Sequence, residues 1–267
     1  LWALTTIYPF IWVILNSFKP RGLIRSDTFS LPIGDKFTLE NYVTAFKRVD
    51  IGTAYVNSIV ISGAVTVVVM VLAGLAAYAM VRYSFRLRGF LHSMIIASMM
   101  FPVFSTIIPV FRMESSWGIV NTGSIWLTRL SVVLPQIAGN LSFAIIVLMG
   151  FIRSLPVDLE EAAYLEGYNV YQIFFRIIMP LAKPSFATVG IFTFLWSYND
   201  LFLQMFFLRS KKFFTITRLL NEISSQAGTN YGLMVAAVVM VVIPVLVVYI
   251  FLQNYIIKGM TAGAVKG

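Results

Sequence analysis

No cysteine occurs in the chain, and only one histidine. Without cysteine there is no disulfide framework, no thiol nucleophile and no thiolate metal site. The lone His92 stands just after a basic cluster and reads as an interfacial side chain rather than a ligand. Motifs that announce chemistry are missing as well. There is no H-E-x-x-H, no G-x-S-x-G and no G-x-x-x-x-G-K-[ST]. The chain therefore carries neither the groups of an intramembrane hydrolase nor a phosphate cradle. No catalytic residue, no metal site and no cofactor of its own are expected. Charge is scarce too. Only 12% of the 267 residues are Asp, Glu, Lys or Arg, about half the share of a soluble domain.

Apolar sequence fills the space. Hydrophobic residues make up 59% of the chain and mean hydropathy is +0.85. A soluble fold has no polar surface to cover so large an apolar share, and a lipid bilayer is the solvent that fits. Residues 1–18, 51–81, 89–111, 130–152, 184–199 and 223–257 contain no charged side chain. A crossing helix needs about 20 apolar residues. The 184–199 window is short, but it continues through 201–208 with Asp200 inside the membrane. Strand alternation is absent, which argues against a barrel. The expectation is an all-α polytopic membrane protein, six transmembrane helices forming a single transmembrane domain over residues 1–267. The net charge of +9 points to anionic lipid headgroups and not to nucleic acid.

The spacing places helix one at 1–18, with Pro9 as a bend. Leu1 follows no basic leader, so this stretch does not read as a signal peptide. Residues 19–50 form a polar loop with a short surface helix at "TLENYVTAF", for which Thr38 and Asn41 are candidate caps. Helix two, 55–81, is rich in Gly63, Ala64, Ala73, Gly74, Ala76, Ala77 and Ala79, which suits close helix packing. Helix three spans 90–111, helix four 126–151, helix five 184–207 and helix six 231–256. Pro102, Pro109, Pro135 and Pro244 are candidate sites of bending. Basic residues do not settle the orientation. Eight would lie on the side of the 82–88 cluster, Lys266 among them, and ten in the loops at 19–50 and 209–218 on the other.

One segment differs from everything around it, "EEAAYLEGYNVYQIFFRIIMPLAKP" at 160–184. Pro156 stops helix four. Asp158 fits an N-cap, with Glu161 three residues on as a capping box requires. Gly167 suits a left-handed helix end. Val170, Ile173, Phe174 and Ile177 then recur as one apolar stripe, ended by Pro180 and Pro184. Two readings stand: an elbow lying at the membrane interface, or a docking element whose glutamates and aromatics project toward a soluble partner.

The motif Glu161-Ala162-Ala163, three intervening residues, Gly167, nine intervening residues, and Ile177 to Pro180 resembles the EAA signature of permease subunits of binding-protein-dependent ABC importers. Met179 stands where that family usually has leucine. "NSFK", "TLENY", "GLAAYAMVRYSFRLRG", "WSYND" and "KGMTAGAVKG" extend the likeness over nearly the whole chain, to the carbohydrate branch and its maltose-type second permease. The resemblance implies that the 153–183 loop is cytoplasmic, lies between helices four and five, and carries a coupling helix seated in an ATPase. Glu160, Glu161, Ala162, Ala163, Leu165, Glu166, Gly167, Tyr168, Ile177 and Pro180 are then the ATPase-coupling residues. It also implies a bacterial cytoplasmic membrane, both termini inside, and a second paralogous permease. A dimer of ABC ATPases would bind ATP and Mg in place of this chain, and an extracytoplasmic solute-binding protein would deliver a di- or oligosaccharide.

Polar groups inside a membrane usually face a cavity or a neighbouring helix. Gln136 and Asn140 share one face of helix four, and Ser197, Asp200 and Gln204 one face of helix five, with Trp196 and Tyr198 nearby. Amides and flat aromatics suit a sugar, so Gln136, Asn140, Trp196, Ser197, Asp200 and Gln204 are candidate translocation-path residues. Bonding between helices is the other reading of the same groups. An ion-coupled secondary transporter, an assembly protein without transport, and an importer of a non-sugar solute are the alternatives to a sugar importer.

Overall fold

The computed structural model describes residues 2–48, 50–226 and 230–264. Leu1, Lys266 of the charge tally and the end of "KGMTAGAVKG" lie outside them. In chain order the helices are α1 Trp2–Ser17, α2 Arg21–Ser26, α3 Glu40–Arg48, α4 Ile51–Arg82, α5 Arg88–Ser98, α6 Val103–Ser116, α7 Ile125–Ile152, α8 Asp158–Leu165, α9 Val170–Ile173, α10 Met179–Leu181, α11 Lys183–Asn199, α12 Phe202–Phe207, α13 Ile216–Gln226 and α14 Tyr231–Ala264. A π turn, Phe174–Ile178, joins α9 to α10. The described residues hold no strand.

Two helices, α4 and α7, are long and apolar enough to cross a membrane alone. The pair α5 and α6 reaches that length only together and is bent by 105°, and the stretch α9–α10 with α11 is bent by 82°. Helix α1 and the Tyr231–Val247 part of α14 are apolar but shorter. The continuous third helix of the sequence is thus broken, with Pro102 at the start of α6. Proline lacks the N–H that would continue α5 and pushes the residue before it out of helical geometry. The fifth window breaks too. Asp200 leaves helical geometry after α11, and its Oδ1 accepts from the Leu203 N–H at 3.1 Å to open α12.

The chain divides into two compact units, residues 1–58 with 208–250 and residues 59–207 with 251–267. In the first, polar side chains tie the loops. Lys19 is fully buried and donates through Nζ to the carbonyls of Asp27 at 3.0 Å and Thr28 at 2.8 Å. Asn41 donates through Nδ2 to the carbonyls of Ser17 at 2.9 Å and Lys19 at 2.8 Å. It therefore lies inside α3 as a tie and is not a cap. Leu39 holds the cap position, its carbonyl accepting from the Tyr42 and Val43 N–H groups, and Thr38 stands one residue earlier, its Oγ1 accepting from the Glu40 N–H at 3.1 Å.

In the second unit α7 packs on α11, and α6 on both α7 and α12. Ile61, Val65, Val69, Ala73 and Ala77 recur every fourth residue on α4 and are at most 1% exposed. Small residues matter most at Gly74, where a Cβ would lie 2.7 Å from the Phe186 ring and 2.9 Å from that of Phe174. Ala64, by contrast, is exposed.

Candidate functional site

The elbow between α7 and α11 begins one residue earlier than a capping box allows. Val157 is already helical, so its carbonyl accepts from Glu160 and Glu161, and Asp158 is the first helical residue with no capping bond. The capping box occurs one helix later. Asn169 Oδ1 accepts from the Gln172 N–H at 2.9 Å, and Gln172 Oε1 accepts from the Asn169 N–H at 2.8 Å. Between the two helices Gly167 has φ of +83°, the left-handed geometry expected of it.

The apolar stripe is shifted from the expected one. Ile173, Phe174 and Ile178 are buried, Ile177 is half-buried and Val170 is exposed. The π turn supplies the reason: it winds more residues into one turn than an α-helix, so the stripe slips from position 177 to 178.

Glu160 does not project outward. It is 4% exposed, with Oε2 accepting from Tyr78 Oη at 2.7 Å and Oε1 from Arg82 Nε at 2.5 Å. Arg82 also donates to the Leu155 carbonyl at 2.9 Å. One step along, the hydroxyls of Tyr83 and Tyr164 meet at 2.9 Å. Glu160 is thus an internal tie from α8 to the end of α4. Of the expected coupling residues, Glu161, Ala162, Leu165, Glu166, Gly167 and Pro180 are exposed, Leu165 at 91%. Ala162, Ala163, Glu166, Ile177 and Pro180 line a notch of about 440 Å³ with Arg176. Tyr168 lies aside, its ring under the Arg176 guanidinium at 5.9 Å.

A second hollow, of about 390 Å³, is lined by Gln136, Asn140, Trp196, Ser197 and Asp200 among others. Five of the six residues expected on a translocation path meet there. Gln136 is the hub: Nε2 donates to Asp200 Oδ2 at 2.9 Å, Oε1 accepts from Ser197 Oγ at 2.6 Å, and its carbonyl accepts from Asn140 Nδ2 at 2.7 Å. Trp196 packs edge-on against Phe143, centroids 4.8 Å apart. Gln204 is the exception. It is 1% exposed and donates through Nε2 to the Ser197 carbonyl at 3.1 Å. The break at Asp200 turns α12 away from the face that Gln204 would share on one continuous helix.

Comparison with known proteins decides the family. Residues 42–262 match the binding-protein-dependent transport system inner membrane component family. The chain belongs to that family. This inner membrane component is 34% identical to the diacetylchitobiose uptake system permease protein NgcG of Streptomyces coelicolor, over 100% of this chain and 86% of the relative. It is 31% identical to the melibiose/raffinose/stachyose import permease protein MelC of Bacillus subtilis, over 97% and 91% of the two chains. With the trehalose transport system permease protein SugB of Mycobacterium tuberculosis it shares 32% over 98% and 93%. Its fold is that of a chain in a bacterial ABC transporter importing the acidic polysaccharide alginate, with a TM-score of 0.81, 24% identity and coverage of 95% and 92%.

Several residues of this inner membrane component escaped the sequence reading. Arg82, Tyr78 and Tyr83 hold the elbow, but their partners lie 73 to 82 positions away, and nothing local announces them. Asn169 and Gln172 were legible, since the N-x-x-Q spacing is that of a capping box. Phe104 and Phe202, stacked edge-to-face at 4.7 Å on the rim of the hollow, carry no sequence signal beyond being aromatic.

Proposed function

We propose that the chain is a membrane-spanning permease subunit of an ATP-driven importer that passes a di- or oligosaccharide into the cytoplasm. Relatives at 31–34% identity over nearly the full chain bear the names of sugar permeases, which supports the solute class. Six crossings are inferred: α1, α4, the bent α5–α6 pair, α7, α11 with α12, and α14, in one transmembrane domain over residues 1–267. The 153–183 elbow is the cytoplasmic coupling loop, and both termini are on that side. Glu161, Leu165, Glu166 and Gly167 meet a separate ATPase, which binds ATP and Mg, while the notch at Ala162, Ala163, Ile177 and Pro180 receives a side chain from it. The remaining partners are a second paralogous permease and an extracytoplasmic sugar-binding protein.

The observation that carries the coupling reading is the exposed, glycine-ended α8 beside a lined notch, with Glu160 buried so that the helix is held rather than loose. The solute path is the Gln136 hollow. The test is reconstitution of the permease with the products of neighbouring reading frames. ATP-dependent uptake of a labelled oligosaccharide is expected, and Glu161→Ala is expected to preserve assembly while lowering uptake per ATP hydrolysed. Uptake of a non-sugar solute instead would overturn the solute class alone. An unchanged ratio in the variant would overturn the coupling role.

A further inference from the structure

The hollow around Gln136 carries one formal charge on its lining, and that charge is negative. Among the lining residues Asp200 is the single titratable side chain, and no lysine, arginine or histidine joins it. The carboxylate is held in place from two sides. Gln136 Nε2 donates to Oδ2 at 2.9 Å and the Leu203 N–H to Oδ1 at 3.1 Å. An ionised carboxylate has about four acceptor sites, so each oxygen keeps room for a further donor. Asp200 is half-buried rather than sealed, and it opens into the same space as the 47% exposed Trp196.

These groups select by chemistry. The indole offers a flat apolar face the width of a pyranose ring, held at a fixed tilt by Phe143. Gln136, Asn140 and the Asp200 carboxylate are hydrogen-bonding groups suited to hydroxyls and amines. A carboxylate or phosphate on the solute gains nothing from Asp200, because neither partner has a proton to give. In a partly dry hollow the repulsion between like charges is also stronger than in water.

We propose that Asp200 is a charge filter: the hollow takes neutral or amine-bearing glycosyl units and turns away uronate- or phosphate-bearing ones. This rests on the hollow being part of the solute path. Gln136 and Leu203 act as positioning residues that keep the carboxylate aimed inward.

The experiment uses the assembled transporter in lipid nanodiscs. The probes are cellobiose, maltose and melibiose, each paired with its C6-carboxylated counterpart, with binding read by tryptophan fluorescence. The wild-type complex is expected to favour at least one neutral member by about tenfold or more over its uronate. Asp200→Asn retains an oxygen for the Leu203 N–H and removes the charge; it is expected to bring the ratio within about threefold. Asp200→Glu is expected to preserve the preference, which separates loss of charge from loss of fold. A preference unchanged in Asp200→Asn, tight uronate binding by the wild type, or binding of none of the probes would each overturn the filter. The path reading is checked separately. The chain has no cysteine, so Asn140→Cys places a single thiol in this subunit, and labelling by a hydrophilic thiosulfonate is read on this subunit after the complex is separated by denaturing electrophoresis. Absence of labelling sinks the path. Labelling with an unaltered Asp200→Asn preference sinks the filter alone.

Discussion

Arg82, the last residue of α4, donates through Nε to Glu160 Oε1 at 2.5 Å, joining positions 78 apart in the chain. The side chains are 10% and 5% exposed, Tyr78 donates to the second carboxylate oxygen, and Arg82 Nη2 donates to the Leu155 carbonyl. Removing one member of such a buried pair leaves the other charge without its partner. Glu160→Ala is expected to cost about 3–5 kcal/mol. Thermal unfolding of the purified complex checks it, and a melting temperature within error of the wild type would show that α8 is held by other contacts. With Glu160 intact, Arg82→Lys is expected to keep only part of the pair's contribution, because lysine cannot bond the carboxylate and the Leu155 carbonyl in the same fork.

Gly167 is open on every side: a Cβ added there would meet no heavy atom within 4 Å, yet φ is +83°. Conformation alone therefore decides the cost of a side chain. Gly167→Ala is expected to destabilise by about 1–2 kcal/mol and Gly167→Asn by less, since asparagine tolerates left-handed geometry. Equal melting temperatures for the two variants would show that the turn relaxes freely.

Gly74 presents the opposite case. A methyl there meets two aromatic rings at 2.7 and 2.9 Å. Gly74→Ala is expected to cost about 1–3 kcal/mol through displacement of Phe174 and Phe186. A paired Phe186→Leu should restore part of it. Loss of stability that is merely additive in the double variant would count against direct contact.

The 19–50 loop contains a pH-sensitive bond. Lys36 donates to Asp27 Oδ2 at 2.7 Å, and this bond holds the Asp27 carboxyl below the usual carboxylate range. A depressed folded pKa means that the bond stabilises above the ordinary value of about 3.9 and fades as pH falls through the folded value. Asp27→Asn should therefore unfold earlier than the wild type at neutral pH, and the gap should close in strong acid. A constant gap across the titration would assign the effect to shape and not to charge.

What could be read from the sequence was periodic or local. The charge-free windows located every long helix, and the Glu161 to Pro180 spacing located the elbow and its glycine turn. Gln136, Asn140, Ser197 and Asp200 came together because helical spacing put them on two faces that do meet. The misses were breaks in period. Pro102 and Asp200 each end a helix that apolar composition alone would continue, and Gln204 is absent from the lining of the hollow for that reason. Glu160 looked like its neighbour Glu161, since only a distant arginine distinguishes the buried carboxylate from the exposed one.

The π turn at Phe174–Ile178 acts as a register insertion. In an α-helix each residue advances the chain by about 100°, so deleting one residue from 174–178 would rotate α11 relative to α8 by roughly that angle. Ser197 and Asp200, 19 and 22 positions beyond Ile178, would then leave the wall they share with Gln136. The elbow's winding thus sets the angular phase of the Gln136 hollow, and insertions or deletions there should be far less tolerated than substitutions.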